Sequence, residues 1–576
     1  MSIFDGGPPR AAPRAAALSD AEAALLIGLA LLTMLGALVW VWGALTGVVF
    51  GSRAPGMSVG DVTHVLAALP GHAGDPRAAW PAGARRTLPA DPAAFYGCGA
   101  VLLAATATVG VAVARRLGGG RRRGRSAQWA TRGDVRTLRV TAPTPGRLVL
   151  GRVGGRLVAA EPRHSVLALA PTQSRKTTGL AAPALLEWEG PVIATSIKSD
   201  LVRDTIAWRH QQGEVRVFDP LAATGLTRAH WTPLAGCRDW GRAQEQGDRI
   251  ARAVQPRGES AEFWAEMGGM YLSALLFAAA RAERDITAVR LWVKEDADPA
   301  VRDDVLAALE PTDTGSREAG RCADALGTLR ALWESDDRLL SSLRATGLVA
   351  LKAYGDPRVQ ECSQRADISA RWLLSGSNTL YLCATNHQQQ RLEPLFITLI
   401  SELVTAVYDI AAKTGEPIAP ALLLLLDEAA NIAAIPDLDV IASTGAGQGL
   451  QVVTICQDMQ QMRTRWGERY TTIANNHRAK WIGAGTSDPL TLRYAADLLG
   501  DEEVAQVSTQ TTVGERARHS TTRSSTWRLL APAHVLREAP YGTGILVYGN
   551  LPPAKLTLRS WLEDRALRAR VAGSHR

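Results

Sequence analysis

Two stretches of the chain carry residues that could do chemistry together. Residues 167–179 read LALAPTQSRKTTG: four apolar or small residues, a proline, a polar loop, then Lys176-Thr177-Thr178. A phosphate-cradling loop has the pattern G-x-x-x-x-G-K-S/T, in which backbone N–H groups close on the anion. Here Ala170 and Arg175 stand where the two glycines belong. Residues 421–432 read ALLLLLDEAANI. Five consecutive leucines before Asp427-Glu428 fit a strand buried on both faces, with the acids at its tip. A magnesium–ATP site needs such a pair: one carboxylate holds the metal's water shell and the next polarises the attacking water. A buried strand that ends in a charged turn would look the same if taken alone. Two later apolar runs also end polar: LQVVTIC at Gln457, and AKWIGAG at Thr486-Ser487-Asp488.

These residues need a scaffold, and the flanking sequence describes one. GRLVLGRVGGRLVAAE reads as short strands with glycine turns. HSVLALA is a buried strand, GLAAPALLEW a helix and GPVIATSIKSDL a second strand with a polar end. LVRDTIAWRHQQ is amphipathic, and EVRVFDP is a third strand. Strands alternating with helices predict a parallel sheet with crossover helices, whose ligands sit at the carboxyl ends of the strands. The 170–177 loop lies there. From Asp239 to Ala370 charged residues recur at helical spacing and β-branched runs are few, which predicts an all-helical insert. NTLYLCAT then gives a strand, and PLFITLISELVTAVYDIAAKTG a long amphipathic helix.

The N-terminal region follows other rules. Ala23 to Ser52 contains no charged residue, and neither does Pro92 to Ala114. The first run exceeds the roughly 20 residues that cross a hydrocarbon core. It is also too long for a signal-peptide core. Trp40 and Trp42 fall where an interfacial aromatic belt would sit. Arg115, Arg116, Arg121, Arg122, Arg123 and Arg125 follow the second run, and such a cluster belongs on the cytoplasmic side. Contact with nucleic acid is a second use for the same arginines. Two spans then put Arg10 and Arg14 inside, residues 53–91 outside as a loop, and everything past about Ser126 in the cytoplasm.

Bulk composition agrees with a multidomain globular chain: 576 residues, net charge +8, pI near 9.3. Cys98, Cys237, Cys322, Cys362, Cys383 and Cys456 form no C-x-x-C pair, so zinc sites and a disulfide framework are not expected.

The motif order is specific in combination: phosphate loop, K-S-D-L, V-F-D-P, helical insert, L-L-D-E-A-A-N-I, I-P-D, then Q-G-L-Q-V-V-T-I-C-Q-D and G-T-G-I-L-V-Y-G-N-L-P-P. From about Arg147 onward this resembles type IV coupling proteins, the hexameric membrane-anchored ATPases of conjugation and type IV secretion. The arginine- and alanine-rich usage suits an actinobacterial-type member. The resemblance implies a RecA-like P-loop NTPase sheet domain, class α/β, at 131–237 and 371–576. It also implies an all-α insert at 238–370, a basic linker at 117–130, and a two-helix anchor at 23–116 with spans near 23–50 and 93–114. Residues 1–22 form a cytoplasmic N-terminus.

Residue by residue, the resemblance makes Lys176 the phosphate-loop lysine. Thr177 becomes the Mg²⁺ hydroxyl ligand, and Thr172, Gln173, Ser174, Arg175 and Thr178 the rest of the ATP-binding loop. Asp427 corresponds to the metal-shell acid, Glu428 to the residue that orients water, and Gln457 to the γ-phosphate sensor. It implies DNA as partner (single-stranded, with its relaxase), secretion-channel components, the bacterial inner membrane, and a homo-hexamer. A motor of the same fold that exports only proteins, and a weakly catalytic docking platform, fit the same motifs. Relatives carry an arginine in this stretch, where STGAGQGLQ has none and Ala446 stands; either Arg463, Arg465 or Arg478, nearby in sequence, substitutes for it, or activation across the subunit interface is weak. A side chain at 175 is expected to be strained, because glycine is the residue that adopts left-handed backbone freely.

Overall fold

In the computed structural model the described residues are 20–573, apart from 52, 55, 119–125, 198, 255–260, 312, 314, 386 and 513–517. Lys198 of K-S-D-L, Arg10, Arg14 and the arginines at 121, 122, 123 and 125 lie outside them. The chain divides into two units, Met1–Arg125 and Ser126–Arg576.

The first unit holds α1 (Asp20–Gly51), α2 (Val59–Ala68) and α3 (Pro92–Gly118). Within α1 and α3, Thr33–Gly51 and Pro92–Gly110 are long and apolar enough to cross a membrane, and only 22% and 11% of those windows are buried. Val48, Phe50, Val101 and Val109 are exposed apolar side chains on them. The segment 53–91, expected as a plain loop, is folded. Ser58 caps α2 in a reciprocal capping box with Asp61, and three short 3₁₀ turns follow. Its core joins Trp80 and Phe95, edge to face at 5.0 Å, with Val39, Val65 and Leu88. Trp40 is exposed, as a belt residue would be, but Trp42 turns inward to Phe95 at 4.6 Å between ring centroids. A small core that needs an aromatic partner claims that ring. Two other helices, Glu262–Arg281 and Gln389–Thr414, are also long and apolar, but 67% and 56% of their windows are buried within the second unit. They are core helices.

Among the described residues the second unit has thirteen strands: β1 (Val149–Val153), β2 (Arg156–Ala159), β3 (Val166–Leu169), β4 (Val192–Ser196), β5 (Val215–Phe218), β6 (Thr379–Cys383), β7 (Leu422–Leu426), β8 (Leu450–Cys456), β9 (Ala479–Gly483), β10 (Asp501–Thr512), β11 (Arg518–Leu529), β12 (Thr543–Tyr548) and β13 (Ala554–Thr557). Eleven of them form one sheet in the order β2-β1-β13-β12-β9-β3-β8-β7-β4-β6-β5. From β9 to β5 every neighbour is parallel; β12, β13, β1 and β2 add an antiparallel flank. β10 and β11 form a separate two-stranded sheet among the described residues.

The leucine run behaves as a doubly buried strand must. Leu422, Leu424 and Leu426 enter one apolar cluster, Leu423 and Leu425 the other, and all five are fully buried. The first cluster also takes Tyr271, Leu275, Phe277, Val289, Leu329 and Leu343 from helices between β5 and β6. Every named element in that interval is helical among the described residues, and its helices share one continuous core with the sheet. The opposite cluster is covered by residues 177–187 and by the helix Ser199–Gln212. At the amino ends of the strands, Arg209 lies fully buried. It donates to Thr379 Oγ1 (2.7 Å), Gly190 O (3.0 Å) and Ser377 O (2.9 Å), and burial holds its guanidinium down at about 10.

Candidate functional site

The loop after β3 enters the site under constraint from both sides. Ala170 N–H donates to Cys456 O at 3.3 Å, which clamps the loop's first residue to the end of β8. The Ala170 methyl group, where the pattern has glycine, has space because the facing residue on β9 is Gly483. A Cβ there would lie 2.6 Å from that methyl. Gln173 and Arg175 then adopt left-handed φ of 63° and 67°. Such residues cost on the order of 1–3 kcal/mol and cluster at functional sites. Thr172 and Gln173 are exposed at the loop tip. Ser174 is buried, and its Oγ has no hydrogen-bond partner.

Lys176 is buried and donates from Nζ to Ala170 O (2.6 Å) and Pro171 O (2.7 Å). Burial holds its ammonium below the usual lysine range, and the charges of Glu428 and Asp427 oppose that shift. A π-helical turn, Thr177–Ala181, opens the following helix, Ala182–Glu187. The chain's C-terminal segment braces this turn. Trp561 N–H donates to Thr178 O at 3.0 Å, and a Cβ on Gly179 would lie 2.9 Å from that of Leu558. Arg175 reaches the same segment and donates to Glu563 Oε1 at 2.6 Å. Gly542 leaves it space, since a Cβ there would be 3.2 Å from Arg175 Cδ.

The acids at the tip of β7 complete the site. Thr177 Oγ1 donates to Asp427 Oδ2 at 3.0 Å, and Thr195 Oγ1, on β4, to Asp427 O at 3.0 Å. Asp427 Oδ1 is buried without a partner. Burial first, then the neighbouring Glu428 charge, raises the Asp427 carboxyl to about 6. Glu428 sits at φ 57°, ψ 46°, and starts the short helix Ala429–Ile432. Its Oε2 accepts from Asn431 Nδ2 (2.9 Å) and from Gln457 Nε2 (3.1 Å). Gln461 ties both donors together, donating to Asn431 Oδ1 (3.1 Å) and accepting from Gln457 N–H (2.9 Å). Asn431 and Gln461 were not singled out from the sequence. Both lie within a turn or so of a motif residue, inside DEAAN and QDMQQ, and that was the available signal.

The geometry therefore gathers Ser174, Lys176, Thr177, Asp427, Glu428 and Gln457 at one sheet edge. Arg175 lies apart, on Glu563. Of the three replacement arginines, Arg465 is bound to Glu393 inside the unit, while Arg463 and Arg478 are exposed. Among the described residues no cluster of three or more His, Cys, Asp or Glu side chains forms a metal cage. Hard oxygens from one carboxylate and one hydroxyl match instead the sparse protein ligation of magnesium beside phosphates.

A family model described as type IV secretory system conjugative DNA transfer matches residues 125–574. The chain belongs to this family, and the coupling-protein resemblance stands. The conjugal transfer protein TraG of Escherichia coli is 29% identical over 335 residues, 55% of this chain and 52% of that protein. Protein VirD4 of Agrobacterium fabrum is 24% identical over 457 residues, 77% and 66% of the two chains. The chain spans about half the length of the TraG relative it matches. Among solved structures, the bacterial conjugative coupling protein TrwB lacking its N-terminal segment superimposes with a TM-score of 0.56 at 20% identity, covering 76% of this chain and 93% of that one. A TrwB structure solved with ADP and Mg²⁺ matches with the same TM-score and identity, covering 76% and 94%. The likeness is one of fold, and the fold is the α/β, RecA-like sheet expected from the sequence.

A carboxyl group raised from 3.8 to about 6 by burial binds more protons folded than unfolded between those values, so it destabilises the fold at neutral pH, and that penalty fades as pH falls from about 6 toward 3.8. Asp427→Asn should therefore raise unfolding free energy by roughly 1–3 kcal/mol at pH 7.5 in chelator, with the gain gone near pH 4. Denaturant unfolding of both proteins across pH 4–8 measures it. An equal or less stable Asn variant at pH 7.5 contradicts the assignment.

Proposed function

We propose that the chain is a membrane-anchored ATPase that recruits DNA, with its attached relaxase, and drives it to a type IV secretion channel. The carrying observation is the meeting of Thr177 Oγ1 and Asp427 Oδ2 at 3.0 Å, 250 residues apart in sequence, beside the buried unpartnered oxygens of Asp427 and Ser174. Thr177 and Asp427 would hold Mg²⁺, which when bound neutralises charge on phosphate oxygens. TrwB, of the same fold, has been solved with an ATP analogue and with ADP and Mg²⁺, which supports this choice of ligand.

This chain's own residues do the rest. Backbone N–H groups of residues 172–178 surround the phosphates, and Lys176 turns from its loop carbonyls to the β- and γ-oxygens. Glu428 accepts hydrogen bonds from attacking water and orients it. Gln457, already bonded to Glu428, reports on the γ-phosphate at the same carboxylate. Asn431 and Gln461 fix both side chains in place. The chain works as a homo-hexamer, in which Arg463 or Arg478, both exposed, reaches a neighbouring subunit's site. α1 and α3 span the bacterial inner membrane, with the second unit in the cytoplasm beside the channel components. A protein-only exporter or a docking platform is distinguished by hydrolysis: only the DNA motor is accelerated by single-stranded DNA.

Glu428→Gln should bind ATP like the parent and hydrolyse it about a hundredfold or more slowly, because general-base contributions run to that size. Lys176→Ala should weaken ATP binding itself by roughly 10- to 100-fold, the worth of a hydrogen bond to a charged group. Calorimetric titration and a phosphate-release assay separate the two. Parental hydrolysis in both variants would place the nucleotide elsewhere.

Arg175→Gly should bind ATP at least as tightly as the parent, since it relieves a left-handed side chain whose guanidinium is occupied with Glu563. A large loss on titration would make Arg175 a phosphate ligand.

Cysteine labelling in intact cells should reach residues 53–91 from outside and residue 130 only after the cytoplasm is opened. Labelling of 53–91 from the cytoplasmic side alone would overturn the two-span anchor.

A further inference from the structure

The β10–β11 ribbon has no place in the nucleotide chemistry. Twelve residue pairs run in unbroken antiparallel register, from Asp501↔Leu529 to Thr512↔Arg518. At about 3.4 Å per residue the ribbon is roughly 40 Å long. A lone two-stranded ribbon is at best marginally stable in water, and among the described residues this one is fastened at its root. Ala127 N–H donates to Asp501 O (2.8 Å), Glu503 N–H to Ser126 Oγ (2.9 Å), and Arg528 pairs with Glu502 at 2.7 Å. The described side chains are open to solvent on both faces: Gln506 and Thr526 on one, Val507 (61% exposed) and, opposite Glu503 at the root, Trp527 (48%) on the other.

The composition says what would cover it. Strand residues 504–512 and 518–528 contain no acid; they hold ten Ser or Thr, two Gln, three Arg and one His. Hydroxyl, amide and guanidinium donors strung along an extended ribbon are the set that meets phosphate oxygens without reading sequence. One exposed indole, Trp527, offers a face on which an unpaired base stacks. A protein partner would call for an apolar strip, and these strands hold only Val504, Ala505, Val507 and Trp527. The root also rests on Ser126 and Ala127, which directly follow the arginine run ending at Arg125.

We propose that this ribbon is an arm that grips the phosphodiester backbone of a single DNA strand, with Trp527 stacking on a base. The inference rests on the DNA-transfer reading and adds a contact site to it.

The test uses the full chain in detergent micelles and fluorescent single-stranded and duplex DNA, with binding followed by anisotropy over a salt series. Arg518→Gln/Arg523→Gln should bind single strands about tenfold more weakly at low salt. Its slope of log affinity against log salt should be shallower by about 1.4, the value for two lost phosphate contacts. Arg518→Lys/Arg523→Lys should keep the parental slope. Trp527→Ser should lose single-strand affinity and retain duplex affinity. Parental melting temperatures and basal ATP hydrolysis in all three certify the fold. Parental DNA binding by the Gln variant overturns the arm and leaves the motor reading standing, as does a change confined to oligomeric size, which would make the ribbon a contact between copies. No DNA binding by the parent itself overturns both.

Discussion

Asp427 is held where water does not reach it, and that one buried carboxylate dictates much of the second unit. Its side chain takes Thr177 from the turn after β3, and its backbone takes Thr195 from β4. Three chain segments must therefore end at one height, which parallel strands in fixed register provide: Thr195 lies opposite Leu426, the residue before the acid. A strand that delivers a carboxylate to such a place must itself be dry on both faces, hence the leucines. Two dry faces in turn demand two helical layers, and the helices between β5 and β6 supply most of one of them. An unfavourable charge at the tip is thus supported by a large apolar investment beneath it.

The parts of this arrangement that were legible in the sequence are those with few physical solutions. A doubly buried strand ending in acids, and a polar loop between a strand and a helix, admit only a narrow set of residues, so 422–428 and 170–178 could be read directly. The fold of residues 53–91 was not legible. Its core depends on single aromatics, Trp80 and Phe95, at no regular spacing, and periodicity is the signal that sequence reading relies on. The ribbon was missed for a related reason: strands with no buried face show no alternation of apolar and polar residues. Asn431 and Gln461 were hidden differently. An amide on a short helix has many ordinary uses, and only coordinates show two of them converging on Glu428.

The two departures from the phosphate-loop pattern also become intelligible through positions distant in sequence. Ala170 faces Gly483, and Arg175 leans over Gly542 toward Glu563. Side-chain volume added in the loop is matched by glycine opposite. A pattern confined to eight consecutive residues cannot record this, because the compensation lies on the strand β9 and in the loop before β12.

That C-terminal bracing bears on how the chain is made. β1 pairs with β13, Trp561 holds the backbone at Thr178, and Glu563 holds Arg175. The first and last thirds of the second unit thus meet at the phosphate loop. During synthesis, domains assemble as their residues leave the ribosome, and long-range pairings form late. The two apolar helices of the first unit emerge long before residue 563 does. The phosphate-loop edge therefore stays open until residues 554–563 have been made, and it closes only after the helices of the first unit have had time to reach their own surroundings.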